Sequence, residues 1–178
     1  LAADVWPGNG SSDPRYLTVV GDSLFFRAQT AATGFELYVS DGTAAGTSLH
    51  TDIWPGPTSG TPSVLTAFGD RLLFNALVAD TVVKPFAAGQ DPGTVARLDV
   101  EPIGVTVRPH SFAVLGDRAV FGAGEVWATR GAPGDARLLK DVEPGALESS
   151  PRDLTTWGGR ALFTATTSAS GREPWVTD

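Results

Sequence analysis

The residues with chemical potential are few and scattered. His50 and His110 are the only histidines in 178 residues, and there is no cysteine, which excludes a thiolate zinc site, a cysteine nucleophile and a disulfide framework. Four aspartates recur at regular spacing, Asp4, Asp52, Asp99 and Asp141. A calcium site would need six to eight converging oxygens, and no Asp-x-Asp-x-Asp-Gly loop supplies them. No Gly-x-Ser-x-Gly elbow marks a serine nucleophile. Glu36 and Asp41 could be read as the carboxylate pair of a glycoside hydrolase, but their spacing fixes no separation between the two groups. Thirteen basic against twenty acidic side chains leave a net charge of −7, which opposes a nucleic-acid partner. No apolar run is long enough for a membrane span. The absence of methionine from a chain that begins at Leu1 points to a processed or excised protein, whose targeting segment is not legible.

What positions these residues is a repeat. Ten residues after each of the four aspartates stands a proline (Pro14, Pro62, Pro109, Pro151), and seventeen after each a glycine (Gly21, Gly69, Gly116, Gly158). A phenylalanine follows at twenty-two (Phe26, Phe74, Phe121, Phe163) and an alanine at twenty-four (Ala28, Ala76, Ala123, Ala165). Within each unit, short segments rich in β-branched and aromatic residues alternate with Gly-Asp, Asp-Gly and Pro-Gly turns, the signature of hairpins. The first unit predicts strands at 16–20, 23–28, 35–40 and 48–53, and no window predicts a helix. Four antiparallel strands in roughly 42 to 48 residues is the size of one propeller blade. The expected fold is therefore an all-β, four-bladed propeller with blades at about 14–54, 62–100, 109–142 and 151–178. The segment 1–5 has the register of a fourth strand, and it is expected to pair with Glu173–Thr177 and close the ring. The repeat phenylalanines, the residues before the glycine turns (Val20, Phe68, Leu115, Trp157) and the third-strand aromatics (Tyr38, Trp127, Trp175) are expected to form the core.

The run Glu36-Leu37-Tyr38-Val39-Ser40-Asp41-Gly42-Thr43-Ala44-Ala45-Gly46-Thr47, followed by Asp52-Ile53 and Pro55-Gly56, resembles the ELWxxDGT repeat of large secreted and surface-associated proteins, chiefly bacterial. Glu173-Pro174-Trp175-Val176-Thr177-Asp178 carries the same pattern; the second unit departs at Val83-Lys84-Pro85-Phe86, and the third shortens its third strand to Glu125-Val126-Trp127. The resemblance covers essentially the whole chain. It implies an extracellular β-propeller used in binding or adhesion and offers no catalytic motif.

Variation between the units marks candidate binding residues. Trp6 and Trp54 stand where other units place Glu101 and Glu143, which makes them candidates for stacking on a sugar or anchoring a protein. The competing reading folds each ring over its own Pro-Gly turn. After the third strand, Asp41, Ala88, Arg130 and Asp178 vary while Gly42, Gly89 and Gly131 persist, as expected for a solvent-facing rim with left-handed glycines. Arg108, Arg118, Arg130 and Arg137 make the third unit locally basic, a possible dock for an acidic partner. The ligand-binding candidates are thus Trp6, Trp54, Asp41 and Arg130, with no catalytic residue and no cofactor beyond an ion on the propeller axis. The regular aspartates are expected to accept N–H groups of their own Pro-Gly turns. The composite expectation is a secreted or surface-located recognition module for a carbohydrate or protein partner, with Ala79–Pro92 as the irregular loop of a protein binder. A hydrolase or lyase with His50 or His110 as base, and a structural or oligomerising module, are the alternatives.

Overall fold

The computed structural model describes residues 2–78, 82–100, 109–145 and 147–177. Leu1, Glu101, Arg108 and Asp178 lie outside them. The described residues form fifteen strands and no helix. The first sheet has the order β1-β2-β3-β4 (β1 Arg15–Val20, β2 Ser23–Thr30, β3 Gly34–Ser40, β4 Ser48–Thr51) and the second β5-β6-β7-β8 (β5 Ser63–Phe68, β6 Arg71–Leu77, β7 Val83–Ala88, β8 Val95–Arg97). The third is β9-β10-β11-β12 (β9 Phe112–Leu115, β10 Arg118–Ala123, β11 Glu125–Thr129, β12 Arg137–Lys140), and the fourth has three strands, β13-β14-β15 (β13 Arg152–Trp157, β14 Arg160–Thr167, β15 Gly171–Thr177). The chain divides into two compact units, one of residues 1–82 and 86–96, the other of residues 83–85 and 97–178.

Each sheet begins with a two-residue hairpin whose first turn position is a repeat glycine at positive φ, Gly21 at 58°, Gly69 at 57°, Gly116 at 61° and Gly158 at 57°. A side chain there would carry the left-handed penalty, which is why the glycine recurs. Strand alternation then sends neighbouring side chains to opposite faces. In the first unit Val20, Phe25, Leu37 and Val39 pack against Leu72, Phe74, Ala76 and Phe86 of the second sheet. In the other unit Leu115, Val120 and Val126 of the third sheet pack against Ala161, Phe163 and Ala165 of the fourth. The four repeat phenylalanines are all buried.

Three expectations need correction. Trp157 is 71% exposed, although its repeat counterparts Val20, Phe68 and Leu115 are buried. The expected strand at 1–5 is not formed among the described residues, since 2–5 belong to no strand, and Val5 packs on Phe26, Ala28 and Tyr38 of the first sheet. Part of the expected irregular loop is also regular, since Val83–Ala88 is β7; residues 79–81 lie outside the described segments.

Candidate functional site

The third sheet carries a cavity of about 130 Å³ lined by Arg118, Ala128, Thr129, Arg130, Asp135, Arg137 and Leu139. Local structure explains the gathering. Arg118 opens β10 directly after the Gly116-Asp117 turn, and Arg137 opens β12 opposite Ala128. Between them Arg130 follows β11, with Gly131 at a φ of 79° turning the chain. Asp135 ties this turn, since one carboxylate oxygen accepts the Thr129 hydroxyl and the other the Arg130 N–H at 2.8 Å. Arg130 Nε donates to Asp117 at 3.1 Å, and both side chains are largely in solvent, so the pair adds little stability. Arg118 and Arg137 have no ion-pair partner among the described residues. In the first sheet the same repeat positions hold Ser23, Asp41 and Ser48. The third sheet has replaced one acid and two hydroxyls by three guanidinium groups, which donate in planar forks suited to a carboxylate or sulfate.

Of the sequence-derived candidates, Arg130 lies in this cavity, and Trp6, Trp54 and Asp41 lie in the first compact unit. No hydrogen bond or ring contact joins those three among the described residues. Asp41 is exposed and serves its own turn, accepting the Thr43 hydroxyl at 2.7 Å and the Thr43 N–H at 2.8 Å. These bonds hold its carboxyl below the usual carboxylate range. Trp6 is partly buried with its indole against Gly10, where an added Cβ would stand 2.5 Å from the ring, so this side chain folds back over its own turn. Trp54 is partly buried and its backbone N–H donates to Glu36 at 3.3 Å. Their counterpart Glu143 accepts the Ser168 N–H at 3.0 Å, and its pKa is lowered by Ser168.

The histidines are separated in role. His50 is buried, with Nε2 3.0 Å from the Gly89 carbonyl and Nδ1 2.9 Å from the Thr51 hydroxyl. A carbonyl can only accept, so Nε2 carries the proton and Nδ1 accepts from Thr51. Burial lowers the His50 pKa despite the bond to Gly89. His110 is exposed just before β9. Gly89 does not share the left-handed conformation of Gly42, at 91°, and Gly131. Counted from the stacked aromatic, Gly89 is level with Asp41 and Arg130, one place earlier than the alignment that paired it with Gly42.

Glu36 and Asp41 do not form a carboxylate pair. Glu36 is fully buried and accepts N–H groups of Ile53 at 2.9 Å, Trp54 at 3.3 Å and Gly60 at 2.6 Å. Glu125 does the same work in the third sheet, accepting from Val142 N–H at 2.7 Å and from both the N–H and hydroxyl of Ser149 at 2.6 Å. Asp52 accepts the Gly56 N–H of its own turn at 3.4 Å, as expected, while Asp99 pairs with Arg97 and the turn that follows it lies outside the described residues. The signal for the glutamates was present: a glutamate stands two residues before the third-strand aromatic, opposite the repeat alanine, at 36, 125 and 173.

No family model matches the chain, and no curated protein matches it. Among solved structures it is similar to the computationally designed Ika4 protein, with 14% identity and a TM-score of 0.56 over all of both chains. It is also similar to a TolB-like β-propeller from Agrobacterium tumefaciens, with 13% identity and a TM-score of 0.54 over 89% of this chain and 58% of the other. Likeness at such identity speaks for the fold alone. No helix among the described residues is long and apolar enough to cross a membrane. The chain is an all-β protein built from antiparallel sheets of propeller type.

Proposed function

We propose that this chain is a non-enzymatic recognition module of a secreted or cell-surface protein, a small four-bladed β-propeller related to the ELWxxDGT repeats, whose loops bind a carbohydrate or protein partner. The ring is completed by the N-terminal segment beside β15, in line with the three-stranded fourth sheet and its exposed Trp157. The observation that carries the recognition reading is the cavity of Arg118, Arg130 and Arg137. It interrupts a repeat that otherwise maintains its scaffold, and it concentrates positive charge on a molecule of net charge −7. An anionic oxygen group, such as the carboxylate of an acidic glycan or an acidic side chain, is what such a cavity favours. Both ring nitrogens of His50 are already engaged, which argues against its use as a catalytic base.

A panel of acidic and neutral glycans combined with a pull-down tests this reading on the intact chain and on Arg118→Ala with Arg137→Ala. The double variant should lose at least tenfold in affinity, about 1.4 kcal/mol, while keeping its unfolding midpoint. Trp6→Ala and Trp54→Ala should fold and bind more weakly if the rings add a stacking contact. Binding unchanged in the arginine variant defeats the site assignment.

A further inference from the structure

Asn9 and Gly10 form the only Asn-Gly pair in the sequence, and the other asparagine, Asn75, is buried in β6 and followed by Ala76. The pair lies in the loop 4–13, level with Pro57-Thr58 of the loop 52–61 when both are counted from their aspartates. The two loops share a backbone. Gly8 has a φ of 96° where Gly56 has 98°, and Asp13 has 42° where Thr61 has 46°. Asn9 and Gly10 are exposed, and so are Pro57 and Thr58, although these two sit between two sheets of one compact unit. Exposure at this place thus belongs to the loop type.

Three features prepare the pair for chemistry. Neither residue makes a hydrogen bond among the described residues, which leaves the Gly10 N–H and the Asn9 side chain unengaged. Gly10 has no Cβ to hinder approach to its nitrogen or to restrict its dihedrals. The fold also requires that glycine, since an added Cβ would stand 2.5 Å from the Trp6 indole. The Asp41-Gly42 pair is the contrast. There the Gly42 N–H donates to the Ser40 hydroxyl at 3.0 Å, and Thr43 holds the Asp41 carboxylate by its hydroxyl at 2.7 Å and its N–H at 2.8 Å.

We propose that Asn9-Gly10 is a site of spontaneous deamidation in the folded protein, and that its isoaspartyl product unseats Trp6. The main-chain nitrogen of Gly10 gives up its proton and attacks the side-chain carbonyl carbon of Asn9. A C–N bond forms, the bond to the side-chain nitrogen breaks, and ammonia leaves carrying that proton. Water then opens the cyclic imide at either carbonyl, which gives aspartate or, with the main chain rerouted through the side chain, isoaspartate. Water is the one co-reactant, and nothing is oxidised or reduced. Both products add a negative charge, and isoaspartate also adds a carbon to the main chain. Beyond Gly10 the loop is anchored, as Gln29 donates from Nε2 to the Ser11 carbonyl at 3.2 Å and from its N–H to the Ser12 carbonyl at 2.9 Å. The extra length is therefore taken up at Gly10, which has no slack beneath the indole. Deamidation links the age of the protein to the seating of a candidate ligand-binding ring.

The test follows the tryptic peptide 1–15, in which Asn9 is the sole asparagine, by mass spectrometry and by chromatographic separation of its asparaginyl, aspartyl and isoaspartyl forms. The folded chain is aged at neutral pH beside the same chain unfolded in guanidinium chloride. Because Asn9-Gly10-Ser11 also has the acceptor pattern for an N-linked glycan, the protein is made in a host without that machinery. Asn9 in the folded chain should convert within tenfold of its rate in the unfolded chain, and faster as pH rises, while Asn75 stays intact. Conversion more than tenfold slower in the folded chain overturns the site. The isolated isoaspartyl form should show tryptophan emission at longer wavelength than Asn9→Asp, which carries the charge without the added carbon. Equal emission from the two overturns the link to Trp6 and leaves the deamidation site standing.

Discussion

The Glu36 carboxylate accepts the amide proton of Gly60 at 2.6 Å across twenty-four residues of sequence, in a site closed to solvent. Gly60 is required there, since an added Cβ would lie 2.7 Å from a carboxylate oxygen. The same relationship joins Glu125 to Ser149. A buried carboxylate surrounded by backbone donors ties each of these sheets to its outgoing loop and thereby sets where the next sheet begins.

Removing such a carboxylate leaves its donors buried and unpaired. Glu125→Ala should therefore cost on the order of 3 kcal/mol, read as a lowered urea midpoint at unchanged m-value. A loss below about 1 kcal/mol would show that solvent replaces the carboxylate at little cost.

Glu36 should make stability depend on pH. Burial outweighs its three N–H partners and pushes its pKa up from 4.5 to about 7. An acid whose folded-state pKa is raised binds its proton more tightly when folded, so its contribution is fully present below pH 4.5 and is lost as pH rises through about 7. Urea midpoints across that window should fall with rising pH in the native chain relative to Glu36→Gln. A constant difference between the two proteins would contradict the shift.

His50 works in the opposite sense. Its pKa is lowered from 6.5 by burial, so its contribution is present above pH 6.5 and is lost as pH falls through the folded-state value. The imidazole resonances should titrate below 6.5, and His50→Phe should remove this part of the acid sensitivity. A titration at or above 6.5 would mean that burial does not govern the ring.

Much of the scaffold was legible in the sequence because the repeat is a local signal. Gly21, Gly69, Gly116 and Gly158 recur at one turn position whose positive φ excludes other residues cheaply, and Phe26, Phe74, Phe121 and Phe163 recur because strand alternation returns the same position to a core. The candidate site was legible only in part. Arg118, Arg130 and Arg137 could be recognised as a basic run, but their convergence on one cavity depends on β10, β11 and β12 being hydrogen-bonded neighbours.

The chain by itself determined strand positions, turn types and the fourfold repetition, since each depends on residues within a hairpin of one another. Tertiary structure decided what the repeated positions do. Trp157 has the sequence address of a core residue and lies in solvent, because burial depends on packing partners that a strand's own sequence does not supply. Glu36 has the address of a hydrolase carboxylate and holds a loop, because its partners Ile53 and Gly60 reach it only once the chain has folded back on itself.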